Sequence, residues 1–277
     1  MKKQLYLLLP LLVFLLHTPT TWASIANTSI LTSSTNVEKT IKKALKGIPE
    51  VKSVKEMDPC DHFEAYFEIW YEQPTDPTNP ESETFLQRVL LGHSSFDAPV
   101  IVELQGYEIH SRRAGELAHL FNGNQLTIEH RYFADSKPES GIPWETLTVE
   151  NAALDQHKII NAIKTALYAD NKFLSTGISK GGQTTMIHRS LYPEDVDASV
   201  CYVAPLNFER EDPRIYTFLK NVSTAENREK VYNFQVMCFE RKDTLIKLLE
   251  ETATQKGYNW DFDITRAFEL YTLEYSF

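Results

Sequence analysis

Missing from this chain are the short signatures of metal and nucleotide chemistry. There is no C-x-x-C, no H-E-x-x-H and no P-loop among its 277 residues. Neither a metal centre nor a nucleotide is therefore expected, and no cofactor with them. Runs of lysine or arginine are absent too. The formal net charge is −10, and nucleic acid is not an expected partner for such a balance. No apolar segment reaches the roughly 20 residues that a bilayer-spanning helix needs. Cysteine is scarce, with only Cys60, Cys201 and Cys238. In an oxidising compartment two of these could pair and one would be left over, and their spacing does not choose among them. The most consequential absence is histidine: none occurs from Ser190 to Phe277.

The apolar stretch Leu5–Leu16 follows Lys2 and Lys3 and precedes Thr21–Trp22–Ala23. This order of basic, apolar and small residues predicts a secretory signal over Met1–Ala23, cut before Ser24. An uncleaved anchor is the alternative, disfavoured by the shortness of the stretch. No cysteine follows the cut, which disfavours a lipoprotein. Cleavage removes Lys2 and Lys3 and leaves the mature chain at −12. A secreted or periplasmic protein with no membrane association after cleavage is expected. Residues 24–59 read as leader and linker: Ser24–Lys46 is polar and then weakly helical, and Gly47–Pro59 is a linker by its glycine, prolines and charges.

The remainder is ordinary globular sequence, with the whole chain 42% hydrophobic and 24% charged. In Asp61–Gln73, residues Phe63, Ala65, Phe67, Ile69 and Tyr71 alternate with Glu64, Glu68 and Glu72, predicting a half-buried strand. Three prolines in Pro74–Pro80 make a turn, and Phe85–Leu91 is the returning antiparallel strand. Ala98–Leu104 suits a central strand buried on both faces. Arg112–Phe121 has helical spacing, Gln125–Phe133 is a strand, and Trp144–Tyr168 is the strongest helix. Lys172–Thr176 and Ala198–Ala204 are further strands. Strand and helix alternate, so residues 60–207 are expected to form an α/β core, a mostly parallel, doubly wound sheet opened by antiparallel strands. Residues 208–277 carry helical spacing and read as a helical cap or insertion, or as ordinary C-terminal helices of the sheet domain.

The chain is organised around Lys172–Gly182, KFLSTGISKGG. It contains G-x-S-x-G between a strand and a helix, which is the context of a nucleophile elbow. Gly177 and Gly181 let strand and helix approach each other, and Ser179 is left at the tip, beside a helix N-terminus whose free N–H groups can hold an oxyanion. The alternative is a plain Gly/Ser-rich turn. The ends of the strands at Gln105, Arg131 and Thr176 are expected to share one sheet edge with Ser179, where α/β folds bind ligands.

Several long segments together resemble one family. Leu126–Ser136 (LTIEHRYFADS) resembles the corresponding segment of secreted serine exopeptidases related to lysosomal Pro-X carboxypeptidase. The likeness is closer to the mycelium-associated serine tripeptidyl aminopeptidases of bacteria, whose pattern continues in Phe85–Val89 (FLQRV), Ala98–Tyr107 (APVIVELQGY), Trp144–Thr148 (WETLT), Ala152–Ile160 (AALDQHKII), Ser175–Gly182 (STGISKGG) and Tyr192–Pro205 (YPEDVDASVCYVAP). The resemblance covers roughly Phe63–Asn207. It implies an α/β-hydrolase fold with a helical cap and an aminopeptidase that takes a peptide substrate and releases short N-terminal peptides. It implies acyl transfer, with Ser179 as nucleophile, a histidine as base and an acid orienting that histidine. The oxyanion would be held by the N–H of Lys180 and by a second N–H at Gly106 or Tyr107. Gly106 also reads as a simple strand-ending turn.

Glu129 and Arg131 admit two readings. They could meet a substrate amine or support the site from behind, or they could form a buried Glu–Arg pair fixing the strand end, which is favoured because buried charges are normally paired. The Lys180 side chain is expected to face solvent, and His157 to be structural. Triad order in this fold is Ser, acid, His. The only histidine after Ser179 is His188, in the same helix, about 13 Å along its axis and out of reach. Three expectations compete: a truncated product of a longer gene, which is favoured; an inactive relative kept for binding; or His110 or His130 acting out of order. Truncation predicts an incomplete sheet with an exposed apolar edge.

Overall fold

A computed structural model describes residues 36–60, 62–260 and 262–276. The expected signal segment lies outside the described residues. The chain divides into two compact units, one ending at Leu206 and one running from Asn207.

The first unit is built on a seven-stranded sheet of order β1-β2-β3-β5-β4-β6-β7. Its strands are β1 (Val51–Met57), β2 (Ala65–Pro74), β3 (Thr84–His93), β4 (Val100–Leu104), β5 (Asn124–Ile128), β6 (Phe173–Ile178) and β7 (Ala198–Tyr202). The pairs β1/β2, β2/β3 and β3/β5 are antiparallel, and β5, β4, β6 and β7 are parallel. Helix α1 spans residues 36–46. The others are α2 (Glu116–Phe121), α3 (Val149–Leu167) and α4 (Lys180–Leu191).

β4 explains the layering. Val100, Val102 and Leu104 join a core with Ile159, Ile160 and Ile163 of α3. Ile101, one step out of phase, packs on the other face with Leu117 and Ala118 of α2. A strand buried on both faces reads as a continuous apolar run, as predicted. From β4 the chain moves outward to β5, then crosses back over β4 to β6. That reversal puts the carboxyl ends of β4 and β6 side by side with their following helices on opposite faces, which is where such sheets form a crevice.

Two expectations are corrected. Residues 24–59 are not all leader and linker. In α1, Ile41 and Leu45 are fully buried in the main core, and Gly47–Pro59 contains β1. This strand hid because it is an edge strand, VKSVKEM, in which only Val54 is buried; its lysines suit an exposed edge. Other boundaries are shorter than the pattern implied. The helix expected from Arg112 begins at Glu116, and the strand expected to reach Phe133 stops at Ile128. Trp144–Thr146 is a 3₁₀ turn that precedes α3, which is capped when Thr148 accepts from Asn151 N–H at 3.1 Å. The three cysteines are unpaired. β7 lies at the sheet edge and has no second strand partner among the described residues. Beside it Val203 is 78% exposed.

The second unit is helical, as its spacing predicts: α5 (Pro213–Asn221), α6 (Ala225–Glu240), α7 (Lys242–Lys256) and α8 (Ile264–Leu273). Asp212, Thr224 and Asp263 cap α5, α6 and α8 through their side-chain oxygens. Its buried apolar residues among those described are Ala253, Ala267 and Phe268.

Candidate active site

Ser179 stands between the last residue of β6 and the first of α4. Its backbone has φ 57° and ψ −122°, a conformation that costs a non-glycine residue about 1–3 kcal/mol and persists only where the surroundings enforce it. Two hydrogen bonds do so: Ser179 N–H donates to Tyr202 O at 3.0 Å, and Gln183 N–H donates to Ser179 O at 3.0 Å. The turn is also sterically closed. A Cβ on Gly177 would collide with Gly181 O, which is backbone and cannot move aside. The result is an exposed serine at the tip of a strained strand–helix turn, as G-x-S-x-G requires.

The segment after β4 is pressed against the start of α4. A Cβ on Gly106 would lie 2.7 Å from Gly181 N and 2.7 Å from Lys180 Cβ, so glycine is required for this close approach. Gln105 N–H still pairs with Ile128 O at 3.1 Å, but Gly106 and Tyr107 have left the ladder. Among the described residues, neither the Gly106 nor the Tyr107 N–H has an acceptor.

Lys180 does not face solvent as expected. Its side chain is half-buried. The ammonium donates to Gly106 O at 2.5 Å and lies 4.6 Å from the Tyr107 ring centre and 4.7 Å from that of Phe133. Desolvation lowers its pKa. His130 is the next neighbour. Its N–H donates to Tyr107 O at 3.1 Å and its ring meets Phe133 edge-on. Burial first, and then the nearby Lys180 charge, push the His130 pKa down to about 4.

Glu129 and Arg131 are fully buried but are not paired with each other. Glu129 accepts from Ile109 N–H at 2.9 Å and Ser136 Oγ at 2.6 Å, with Arg88 at 3.9 Å. Arg131 makes a bidentate pair with Asp155 at 2.7 and 3.2 Å, and also donates to the carbonyls of Pro74, Thr75 and Thr146. Phe85 and Tyr132 lie against the guanidinium. Both side chains therefore fix the chain leaving β5 from behind, and neither is open to a substrate amine.

No histidine is bonded to Ser179 Oγ among the described residues. His188 is fully buried and shares Asp195 with His157, at 3.0 and 2.9 Å, so both are structural. His130 is tied through Nδ1 to Arg131 O at 3.0 Å. His110 is exposed, 3.7 Å from Glu108. It lines a cavity of about 420 Å³ that also touches Ile178 and Gly181 on either side of the serine.

Two features of the site escaped sequence reasoning. One is the cage of Tyr107 and Phe133 around Lys180, three residues far apart in sequence. The other is Glu103, one residue before the end of β4. It receives Gln105 and Gln125 at 3.1 and 2.9 Å and is raised in pKa by desolvation.

Residues 35–277 match the profile of the PS-10 peptidase S37 family. The chain is 34% identical over 227 residues to the prolyl tri/tetrapeptidyl aminopeptidase of Streptomyces mobaraensis, covering 81% of this chain and 46% of that protein. It thus spans about half the length of that relative. Among solved structures, acetyl xylan esterase 1 from Thermoanaerobacterium sp. JW/SL YS485 is 14% identical, with a TM-score of 0.43 over 69% of this chain and 68% of that one. The acetyl xylan esterase of Paenibacillus sp. R4 is 15% identical, with a TM-score of 0.42 over 70% and 65%. The elbow at the carboxyl edge of the parallel half of a mixed sheet is the α/β-hydrolase arrangement, and from the extent of the profile match and the shared identity the chain belongs to the PS-10 peptidase S37 family.

Proposed function

We propose that this chain carries the nucleophile and oxyanion hole of a serine aminopeptidase that releases short peptides from the N-terminus of peptide substrates. The observation that carries the proposal is the strained, exposed Ser179 on its strand–helix turn. Such strain is kept where a hydroxyl must be presented. Ser179 Oγ attacks the peptide carbonyl and its proton passes to a base; the carbonyl oxygen takes the negative charge. Lys180 N–H, at the start of α4, and Tyr107 or Gly106 N–H, left without an acceptor, stabilise that charge. Collapse expels the amine of the downstream peptide, which takes up the proton, and leaves an acyl-enzyme on Ser179 that water hydrolyses. The exported location expected from Met1–Ala23 goes with this reading, since secreted exopeptidases act on peptides outside the cell. Among the described residues no helix is long and apolar enough to cross a membrane.

A fluorophosphonate probe applied to the folded chain, with the modified residue mapped by mass spectrometry, tests the proposal. Labelling at Ser179, with release of a tripeptidyl amide's leaving group, supports the proposal and requires a base within this chain, His110 or His130 acting out of order, against the truncation expectation. Hydrolysis of simple esters but not of peptide amides would instead make it a carboxylesterase. The lack of a histidine partner for Ser179 Oγ among the described residues favours one rival, a non-catalytic binding protein on a hydrolase scaffold. Absence of label on folded protein, with retained peptide binding, is the outcome that selects that rival.

A further inference from the structure

The Lys180 side chain has an arrangement that the acyl-transfer scheme does not use. Its ammonium is held on three sides by groups of one neighbourhood: Gly106 O at 2.5 Å, the Tyr107 ring at 4.6 Å and the Phe133 ring at 4.7 Å. The two rings themselves meet edge-to-face at 5.3 Å. A cation over two aromatic faces with a carbonyl as third partner is a cage. It joins the first residue of α4 to the segment that leaves β4.

The carbonyl that the cage holds matters. Gly106 O and Tyr107 N–H belong to one peptide unit, which is planar and trans, so they point in opposite directions. Whatever pins the oxygen sets the direction of the N–H. The next carbonyl along, Tyr107 O, is pinned separately by His130 N–H at 3.1 Å. Both peptide planes around Tyr107 are thereby fixed, while the Tyr107 N–H is left free of any acceptor among the described residues. Without the ammonium, the Gly106–Tyr107 plane would be held on one side only, next to a glycine that tolerates rotation.

We propose that Lys180 is a positioning residue whose side chain, anchored in the Tyr107–Phe133 cage, locks the Gly106–Tyr107 peptide plane and so holds the Tyr107 N–H in the orientation of an oxyanion donor. This rests on the serine hydrolase reading above. Lys180 then serves the oxyanion twice: its own N–H is one donor, and its side chain orients the other. A side-chain substitution leaves the first role intact, so the two are separable by experiment.

The test uses the full chain with tyrosine amides labelled by nitrogen-15, as wild type, Lys180→Met, Lys180→Arg and Phe133→Leu. The wild type is expected to give one sharp Tyr107 amide resonance. Lys180→Met keeps the apolar stem and loses the donor, and should broaden or split that resonance as the peptide plane samples two orientations. In parallel, labelling of Ser179 by the fluorophosphonate should slow at least tenfold in Lys180→Met. For a peptide amide substrate kcat should fall with KM unchanged, and Lys180→Arg should restore part of the rate. Phe133→Leu removes one wall without touching the hydrogen bond and should lie between, which keeps the test open if Lys180→Met folds poorly. A single sharp Tyr107 resonance in both Lys180→Met and Phe133→Leu overturns the proposal. If wild-type Ser179 takes no label, the catalytic reading fails on its own, and the amide resonances still decide the latch.

Discussion

At the scale of single residues, the elbow sets stability against presentation of the nucleophile. Ser179 holds φ 57° with a Cβ that disfavours it. Ser179→Gly should remove that strain, losing part of the gain to the added freedom of the unfolded chain. The expected net effect is a stabilisation of about 1 kcal/mol, or roughly 2–4 °C in Tm for a domain of this size, with complete loss of fluorophosphonate labelling. An unchanged or lowered Tm in calorimetry would mean that the turn is not strained. Gly177→Ala should act in the opposite direction. Its new methyl would meet Gly181 O, and Leu104 O at 2.8 Å. Both obstacles are backbone, so a cost of about 3 kcal/mol is expected, at the upper end for overpacking, readable as a lowered urea midpoint at constant m.

At the scale of elements, Arg131 joins the chain leaving β5 to α3 and to the turn after β2. Its guanidinium reaches Asp155 in α3 and carbonyls at Pro74, Thr75 and Thr146 while fully buried. Arg131→Met would strip the buried Asp155 carboxyl of its partner in the core, at a cost of about 3–5 kcal/mol. Adding Asp155→Leu should recover part of that loss, because a buried pair replaced by apolar groups costs far less than a broken one. A double-mutant cycle by urea unfolding reads this as positive coupling, and additive losses would contradict it. The same elements mark what sequence could reveal. β4 and α3 were legible because a doubly buried strand and an apolar stripe repeating at three and four leave strong periodic signals. The elbow was legible because glycine and serine are forced at fixed spacing. β1 was not, since an edge strand with one buried residue, Val54, has no period to read. Nor were the partners of Glu129 and Arg131: sequence indicates that a buried charge needs a partner, and only the fold chooses Arg88 and Asp155 over each other.

At the scale of the whole molecule, buried histidines make the stability of the sheet unit pH-dependent. His93 ends β3, is 1% exposed, bonds through Nδ1 to Tyr168 OH at 2.8 Å and packs against Phe96. Burial pushes its pKa from 6.5 down to about 4, and His130 is held down in the same range. The unfolded chain takes up protons on these rings below about pH 6.5, whereas the folded chain resists until about pH 4. Between those values the unfolded state binds more protons, so stability must fall as pH falls, and it must be flat in this respect above pH 7. Asp155 complicates the raw curve, since burial raises its carboxyl while Arg131 pulls it back, and a raised carboxyl contributes with the opposite sign. A comparison removes that complication. His93→Gln keeps a polar side chain near Tyr168 and has no charge to gain, while every other titrating group is common to both proteins. The difference in unfolding free energy, wild type minus His93→Gln, should therefore drop by on the order of 2 kcal/mol between pH 7 and pH 4. Urea titrations at half-unit steps would measure it. A difference that stays constant across this window would mean that His93 titrates alike in the folded and unfolded chains, and that its burial beside Tyr168 does not hold it neutral.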